Sequence, residues 1–473
     1  MLTPPFWQWS ACDLAAAIAS KEISAREVIE AHIERADAVN PTLNAIVEPS
    51  FDAARAQAHA LDDHIVKHGP VGPLHGVPVT IKINVDQIGT ANSNGVKAFS
   101  SIIAQEDAPV VENLRGAGAV FLGRTNTPEF SFRLTTINEL YGATLNPWDH
   151  DLSPGGSSGG ASSSALAGMA PINHGNDIGG SLRFPAACCG LSTIKSGLGR
   201  VPAYNPSQKV ERPPLAQQMS VQGAITREVC DTRLATKIMA GRDVRDPNWV
   251  PVPFEGPALA KPLKVAFTKD HLGFGMDATV AAALDQAAKM LSAAGYEVEE
   301  IDPPMVQEIA VEWMRNTHGE MAIMLGDTIR EHGSPVIRKV IGDFQTMYGI
   351  NQGDDLIHAY ADRSRMIRAW NLFLEEYPLV LTPFLLTPPF KLHDDETTEG
   401  LHEIFRACAY SYAMNYLALP AATIPVTMAD GLPVSVQIVG QRFREDLCLD
   451  AAAVIEHEAG VMAKRYWARE GLA

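Results

Sequence analysis

The chain has 473 residues, 46% hydrophobic and 20% charged, a balance that suits a soluble globular protein with one large core or two to three domains and excludes a disordered chain. Its net charge of -17, from 55 acidic against 38 basic residues, argues against a nucleic-acid partner held through phosphates and against an anionic membrane surface. The opening MLTPPFWQWS lacks a basic stretch followed by an apolar run, and YPLVLTPFLLTPPF is cut by prolines before it spans a bilayer, so no membrane partner and a cytoplasmic location are expected.

Taken in chain order, the first clear element is a helix opened by the capping box Ser24-Ala25-Arg26-Glu27, with an apolar stripe at Val28, Ile29, Ile33 and Ala36 and an end expected near Asn40-Pro41. VPVTIKI, residues 77–83, alternates like a strand, with Val79, Ile81 and Ile83 on one face and Thr80 and Lys82 on the other. A helix near Val110 to Arg115 precedes a strand in AVFLGRTN, and PINHGND reads as a short buried strand running into Gly179-Gly180-Ser181. Asp277 to Ala294 is predicted helical with Gly295 as its stop, and YEVEEI follows as a strand. The alternation implies an α/β architecture with mixed sheet pairing. The best candidate break, Val201 to Gln218, is only loop-sized, so a single domain over residues 1–473 is expected. Six cysteines without C-x-x-C spacing are too few for a disulfide scaffold and read as reduced core residues. No H-E-x-x-H helix or clustered Cys/His spacing suggests a metal, so none is expected.

The segment SPGGSSGGASSS, residues 153–164, with GNDIGGS at 175–181, concentrates glycine where the backbone must either stay loose or approach something closely. Neither cluster carries the G-x-x-x-x-G-K-[ST] phosphate loop or the G-x-G-x-x-G dinucleotide pattern. Residues 155–159 do match G-x-S-x-G, the nucleophile elbow of α/β-hydrolases, but the turn-rich LNPWDHDLS stands where a buried strand is required.

Lys82, Ser157 and Ser181, in that order, closely resemble the amidase signature family. The matching stretches are GPLHGVPVTIKINVDQIGT, GRTNTPEFSF, LNPWDHDLSPGGSSGGASS, HGNDIGGSLRFPAACCG and, near the C-terminus, NYLALPAATIPVTMADGLPVSVQIVGQRFREDLCL. Together they cover nearly the whole chain, with a signature core at about residues 70–230. The resemblance implies an amidase-signature fold, a large twisted mixed β-sheet core flanked by many α-helices. It also implies a Ser-cisSer-Lys triad with Ser181 as nucleophile, Ser157 as proton relay on a cis Gly156-Ser157 peptide, and Lys82 as base, with no histidine and no cofactor. A lysine of ordinary pKa about 10.4 must then be brought to about 7–8, a penalty of roughly 4 kcal/mol on its charged form that burial can impose. By the same resemblance the backbone amides of Ile178, Gly179 and Gly180 form an oxyanion hole, Asp177 and Arg183 support it, and Ser131 of PEFSF lies near the acyl site, with Phe130 and Phe132 beside it. Trp313 and Met314 are weighed as cleft or core, with core the commoner outcome.

The chain departs from the family pattern at Ile83, where an acidic residue commonly follows the lysine, and at Thr193, Ser196 and Gly197. Cys188-Cys189 reads as core packing. Phe184 stands where the glutamine-hydrolysing A subunit of transfer-RNA amidotransferases typically has a polar glutamine. The expected activity is therefore cleavage of a neutral, fairly apolar carboxylic amide (aryl, alkyl, cyclic amide or carbamate), a small molecule. The alternatives are that A subunit or a catalytically silent scaffold, and a homodimer is left open.

Overall fold

The computed structural model describes residues 5–472. Its strands, in chain order, are β1 (Ile46–Pro49), β2 (Pro78–Lys82), β3 (Val120–Thr125), β4 (Ile137–Asn138), β5 (Gly142–Ala143), β6 (Ile172–Asp177), β7 (Ser192–Lys195), β8 (Val221–Thr226), β9 (Lys264–Phe267), β10 (Glu297–Glu300), β11 (Leu379–Pro383), β12 (Ala421–Ala429) and β13 (Leu432–Gly440). All but the β4-β5 pair join one sheet of eleven strands, in the order β1-β3-β2-β6-β8-β7-β12-β13-β11-β9-β10. β2 runs parallel to both β3 and β6, and β9 parallel to β10 and β11, while the other pairs are antiparallel. The parallel trio matters most, because the carboxyl ends of β2, β3 and β6 then open on one edge of the sheet, where α/β proteins hold their ligands.

Hydrophobic patterning explains most of the elements. Strand β2 is buried along its whole length, so Thr80 and Lys82 are no more exposed than Val79 and Ile81. The two-sided burial that parallel strands require takes the polar face out of solvent as well. Helix Ala25–Leu43 has the expected capping box, Ser24 and Glu27 each accepting the other's backbone N–H. It continues beyond Asn40-Pro41, enclosing Pro41, because the carbonyl that the proline leaves without a donor belongs to exposed Asp37, where water can serve. Asn44, in the left-handed region at φ 49°, then closes the helix with its N–H on Asn40 O. The segment from Val201 to Gln218 is not all loop, since Pro214–Met219 is helical.

Helix Gly159–Ala167, sequence GGASSSALA, is buried at every position. The serine-glycine cluster is therefore no linker: small side chains let this helix sit in the interior, and a Cβ at Gly160 would stand 2.3 Å from Asn126 N and 2.7 Å from Ala45 O. Two large apolar clusters flank the sheet. One gathers Trp313, Met314, Trp370, Phe405, Tyr412 and Tyr416 from the C-terminal helices, and the other gathers Leu14, Val79, Ile81, Leu114 and Met239 beneath the N-terminal ones. Cys188, Cys189, Cys408 and Cys448 are buried as free thiols, and burial pushes that of Cys189 up to about 12. Cys230 is exposed and Cys12 partly so, which corrects the expectation that all six are core residues: each sits in the first turn of a surface helix. Among the described residues no helix is long and apolar enough to cross a membrane.

The glycine contacts separate two substitutions. Gly160→Ala must push backbone apart and should lower stability by about 1–3 kcal/mol. Gly116→Ala, with nothing within 4 Å of its new carbon, should raise stability by about 0.4–1 kcal/mol. Thermal midpoints of the two variants should move in opposite directions.

Candidate active site

Lys82, the last residue of β2, is fully buried. Its Nζ lies 2.8 Å from Ser157 Oγ, 3.0 Å from Ser158 Oγ and 2.9 Å from Asn176 Oδ1, all uncharged. Burial holds the amine well below the ordinary lysine range, opposed only by the charge of Asp177. A neutral amine has two N–H donors and one lone pair. Asn176 Oδ1 can only accept, and Ser158 Oγ, which donates to Asn176 O at 3.4 Å, accepts as well. In its neutral form the amine thus spends both N–H groups on these two oxygens and has its lone pair left for Ser157.

The loop carrying Ser157 is pinned from three sides. Thr127 Oγ1 donates to Ser157 O at 2.9 Å, Thr136 Oγ1 donates to Gly155 O at 2.9 Å, and Gly159 N donates to Thr136 Oγ1 at 3.1 Å. A Cβ at Gly156 would meet Arg133 O at 2.5 Å, and one at Gly155 would meet Pro185 Cα at 2.5 Å. Gly155 therefore lets this loop lie against the helix that follows Ser181, and Gly156 lets it lie against the backbone of residues 133–135. The Gly156-Ser157 peptide is cis, as the resemblance implies.

Ser181 ends the turn that follows β6. Trp313 Nε1 donates to Ile178 O at 2.8 Å and Ser411 Oγ donates to Gly179 O at 3.0 Å. Anchoring a carbonyl on one side turns the amide of the same peptide to the other. The N–H of Gly180 is taken by Asp177 Oδ1 at 2.8 Å, which departs from its expected place among free oxyanion donors: it sets the turn. Among the described residues, the amides of Ile178, Gly179 and Ser181 make no hydrogen bond, and neither does Ser181 Oγ. The Lys82–Ser157 link is thus closed, whereas a Ser157–Ser181 bond is not formed.

Asp177 and Arg183 are both fully buried. Arg183 Nε reaches Asp177 Oδ2 and Nη2 reaches Oδ1, each at 3.0 Å, and the guanidinium also donates to Ser411 O, Asn415 Oδ1 and Gln437 Oε1. Despite the cost of burial, the charge and hydrogen bonds of Arg183 hold the Asp177 carboxyl down at about 2.

Ser131 donates to Asn94 Oδ1 at 2.7 Å and accepts from Asn84 Nδ2 at 2.9 Å. Asn84 and Asn176 exchange side-chain hydrogen bonds, so an uncharged polar chain runs from Ser131 to Lys82. Phe130 packs away against Val96 and Ile337, and Met314 lies in the core. Trp313 is more than core: besides its bond to the turn it stacks on Tyr412, ring centroids 4.5 Å apart. Asn84, Ser158, Asn176, Ser411 and Asn415 are site residues that the sequence reading does not name. Ser158 and Asn176 adjoin the motif residues and were legible in principle, whereas Ser411 and Asn415 arrive from a distant helix with no local signal.

The sequence model of the Amidase family matches residues 27–449. The indoleacetamide hydrolase of Bradyrhizobium diazoefficiens is 48% identical over 465 residues, 98% of this chain and 89% of that protein. The acylamidase of Rhodococcus erythropolis is 34% identical, over 97% of this chain and 96% of that one. A solved bacterial aryl acylamidase of the amidase signature enzymes superposes with a TM-score of 0.83 at 28% identity, covering 98% of each chain. The chain belongs to the amidase signature family and has its fold. It is an amidase, an enzyme that hydrolyses amides.

Removing one partner of the buried pair has a defined cost. Asp177→Asn leaves the Arg183 guanidinium uncompensated and should cost about 3–5 kcal/mol. Because the carboxyl titrates lower in the folded chain than in the unfolded one, its contribution is complete above about pH 4 and lost as pH falls towards about 2. The difference in thermal midpoint between wild type and Asp177→Asn should shrink over that interval.

Proposed function

We propose that the chain hydrolyses a small, neutral amide with an apolar acyl group, in the first place the primary amide of an arylacetic acid, through an acyl-enzyme on Ser181. Lys82 takes a proton from Ser157 as Ser157 takes that of Ser181, and Ser181 Oγ attacks the carbonyl carbon. The oxyanion is met by the amides of Ile178, Gly179 and Ser181, with Gly180 holding the turn through Asp177 and Arg183 behind it. The proton returns from Lys82 through Ser157 to the leaving nitrogen, ammonia departs, and water enters by the same relay to release the acid.

The observation that carries this proposal is the 2.8 Å contact between Lys82 and Ser157 in a pocket where every other partner of the amine is an uncharged oxygen. The apolar acyl group is supported by Ile178 and Leu134, both partly exposed apolar side chains, the first beside the turn at Ser181 and the second on the backbone stretch that lies against Gly156. The aryl group is suggested by the indoleacetamide hydrolase to which the chain is similar. On this proposal the whole chain is one catalytic unit, Ser131 borders the acyl site through its bonds to Asn84 and Asn94, and the chemistry needs no cofactor.

Three variants separate the roles. Ser181→Ala should lose covalent labelling by a fluorophosphonate, Ser157→Ala should label slowly, and Lys82→Ala should lose about 10²–10⁴ in turnover. Turnover of the wild type should fall as pH drops through the apparent pKa of the coupled relay, because the amine must be neutral, and Lys82→Ala should lack that limb. Labelling at Ser157, or an unchanged acidic limb in Lys82→Ala, would overturn the assignment.

Substrate class is read separately. Phenylacetamide and indoleacetamide should be hydrolysed with ammonia release by the purified chain alone, and glutamine should not. Hydrolysis of glutamine that required an added partner subunit would instead make the chain an amidotransferase subunit.

A further inference from the structure

Away from the active site, two helices meet at their amino ends. Cys12 is the second residue of helix Ala11–Ala19, and Cys230 and Asp231 are the second and third residues of helix Val229–Met239. The two sulfurs and a carboxylate oxygen of Asp231 lie within 4.8 Å of one another. Asp231, fully buried, accepts the N–H groups of Ala11 and Cys12, each at 2.9 Å, and so fixes the first helix onto the second. Cys230 Sγ donates to Asp231 Oδ1 at 3.6 Å. Cys230 is exposed and Cys12 partly exposed, so the cluster is open to solvent on its sulfur side.

We propose that Cys12, Cys230 and Asp231 form a binding site for one thiophilic divalent cation, zinc in the first place. Tetrahedral zinc, with bonds of about 2.3 Å to sulfur and 2.0–2.2 Å to oxygen, sets its ligand atoms about 3.5–3.8 Å apart. The Cys230 Sγ to Asp231 Oδ1 separation of 3.6 Å falls in that range, and the other pairs come within reach by small side-chain rotations. The carboxylate keeps lone pairs for a metal after accepting two amides. The positive ends of two helix dipoles offset the thiolates, and water completes the fourth position. Binding exchanges two thiol protons for one cation, with both protons released to solvent and no change of oxidation state. Oxidation of the same sulfurs to a disulfide is the rival chemistry. It would require a two-electron oxidant and would make no use of the carboxylate.

The test uses the full chain, reduced and stripped with a chelator, then titrated with cadmium as a spectroscopic stand-in and with zinc against a chromophoric chelator. Wild type should take up one cadmium with a thiolate-to-metal absorption band, lose reactivity of two thiols towards a disulfide reagent, and gain thermal midpoint on binding. Cys12→Ala and Cys230→Ala should each bind at least about 10–100-fold more weakly, the loss that even an outer-shell partner of a metal causes. Both variants should keep amidase activity without metal, since neither thiol touches Lys82, Ser157 or Ser181, so folding is checked independently. Equal binding by wild type and Cys230→Ala would overturn the proposal. So would a wild-type chain that shows no band and only becomes two protons lighter in air.

Discussion

An amine enclosed without a carboxylate in contact is held well below the ordinary lysine range by the loss of water, and this condition at Lys82 governs the surrounding structure. The strand that carries it is covered on both faces, and its three hydrogen-bond partners are uncharged. An anion in contact would restore the ammonium and remove the lone pair on which the proposed proton relay depends. Ile83, which follows the lysine, belongs to the same condition: it is fully buried and adds no charge. The Asn84–Asn176 pair solves the remaining difficulty, orienting the amine with amides whose protonation does not change with pH.

Around that fixed amine, the two glycine clusters perform different tasks. In the first, missing side chains let backbone lie on backbone, so that the Ser157 loop, the buried helix Gly159–Ala167 and the strand ends share a space that alanines would not fit. In the second, Gly179 and Gly180 are gripped from outside. A Cβ at Gly179 would enter the Trp313 ring, and one at Gly180 would strike Ser411 Oγ. The same two residues hold the carbonyls of Ile178 and Gly179, so the geometry of the turn is set by helices Val306–Met324 and Ala409–Tyr416. What a chain diagram shows as a flexible run is therefore stiff, and its stiffness is borrowed from elements hundreds of residues away.

The sequence disclosed what is local and what is repeated across a family. Strands β2, β3 and β6, the capping box at Ser24 and the order of Lys82, Ser157 and Ser181 were legible, because periodicity and motif spacing reside in contiguous residues. The extension of the first long helix past Pro41 was not, since it turns on whether the freed carbonyl of Asp37 meets water. The commitment of the Gly180 amide to Asp177 was also hidden, because only the folded turn decides which N–H points where. Cys12 and Cys230 read as core because each was judged alone, and only packing brings their helices end to end.

The buried arginine has a consequence for the life of the chain before it is complete. Lys82, Ser157 and Ser181 leave the ribosome well before the groups that enclose Arg183, which include Ser411, Asn415 and Gln437, 228 to 254 residues after it. Until those residues arrive, a nascent chain carries the proposed triad with the Arg183 guanidinium lacking three of its acceptors. Translation thus delivers the turn at Ser181 first and the enclosure of its supporting arginine last, so that the turn waits on residues 411–437 before its support is complete.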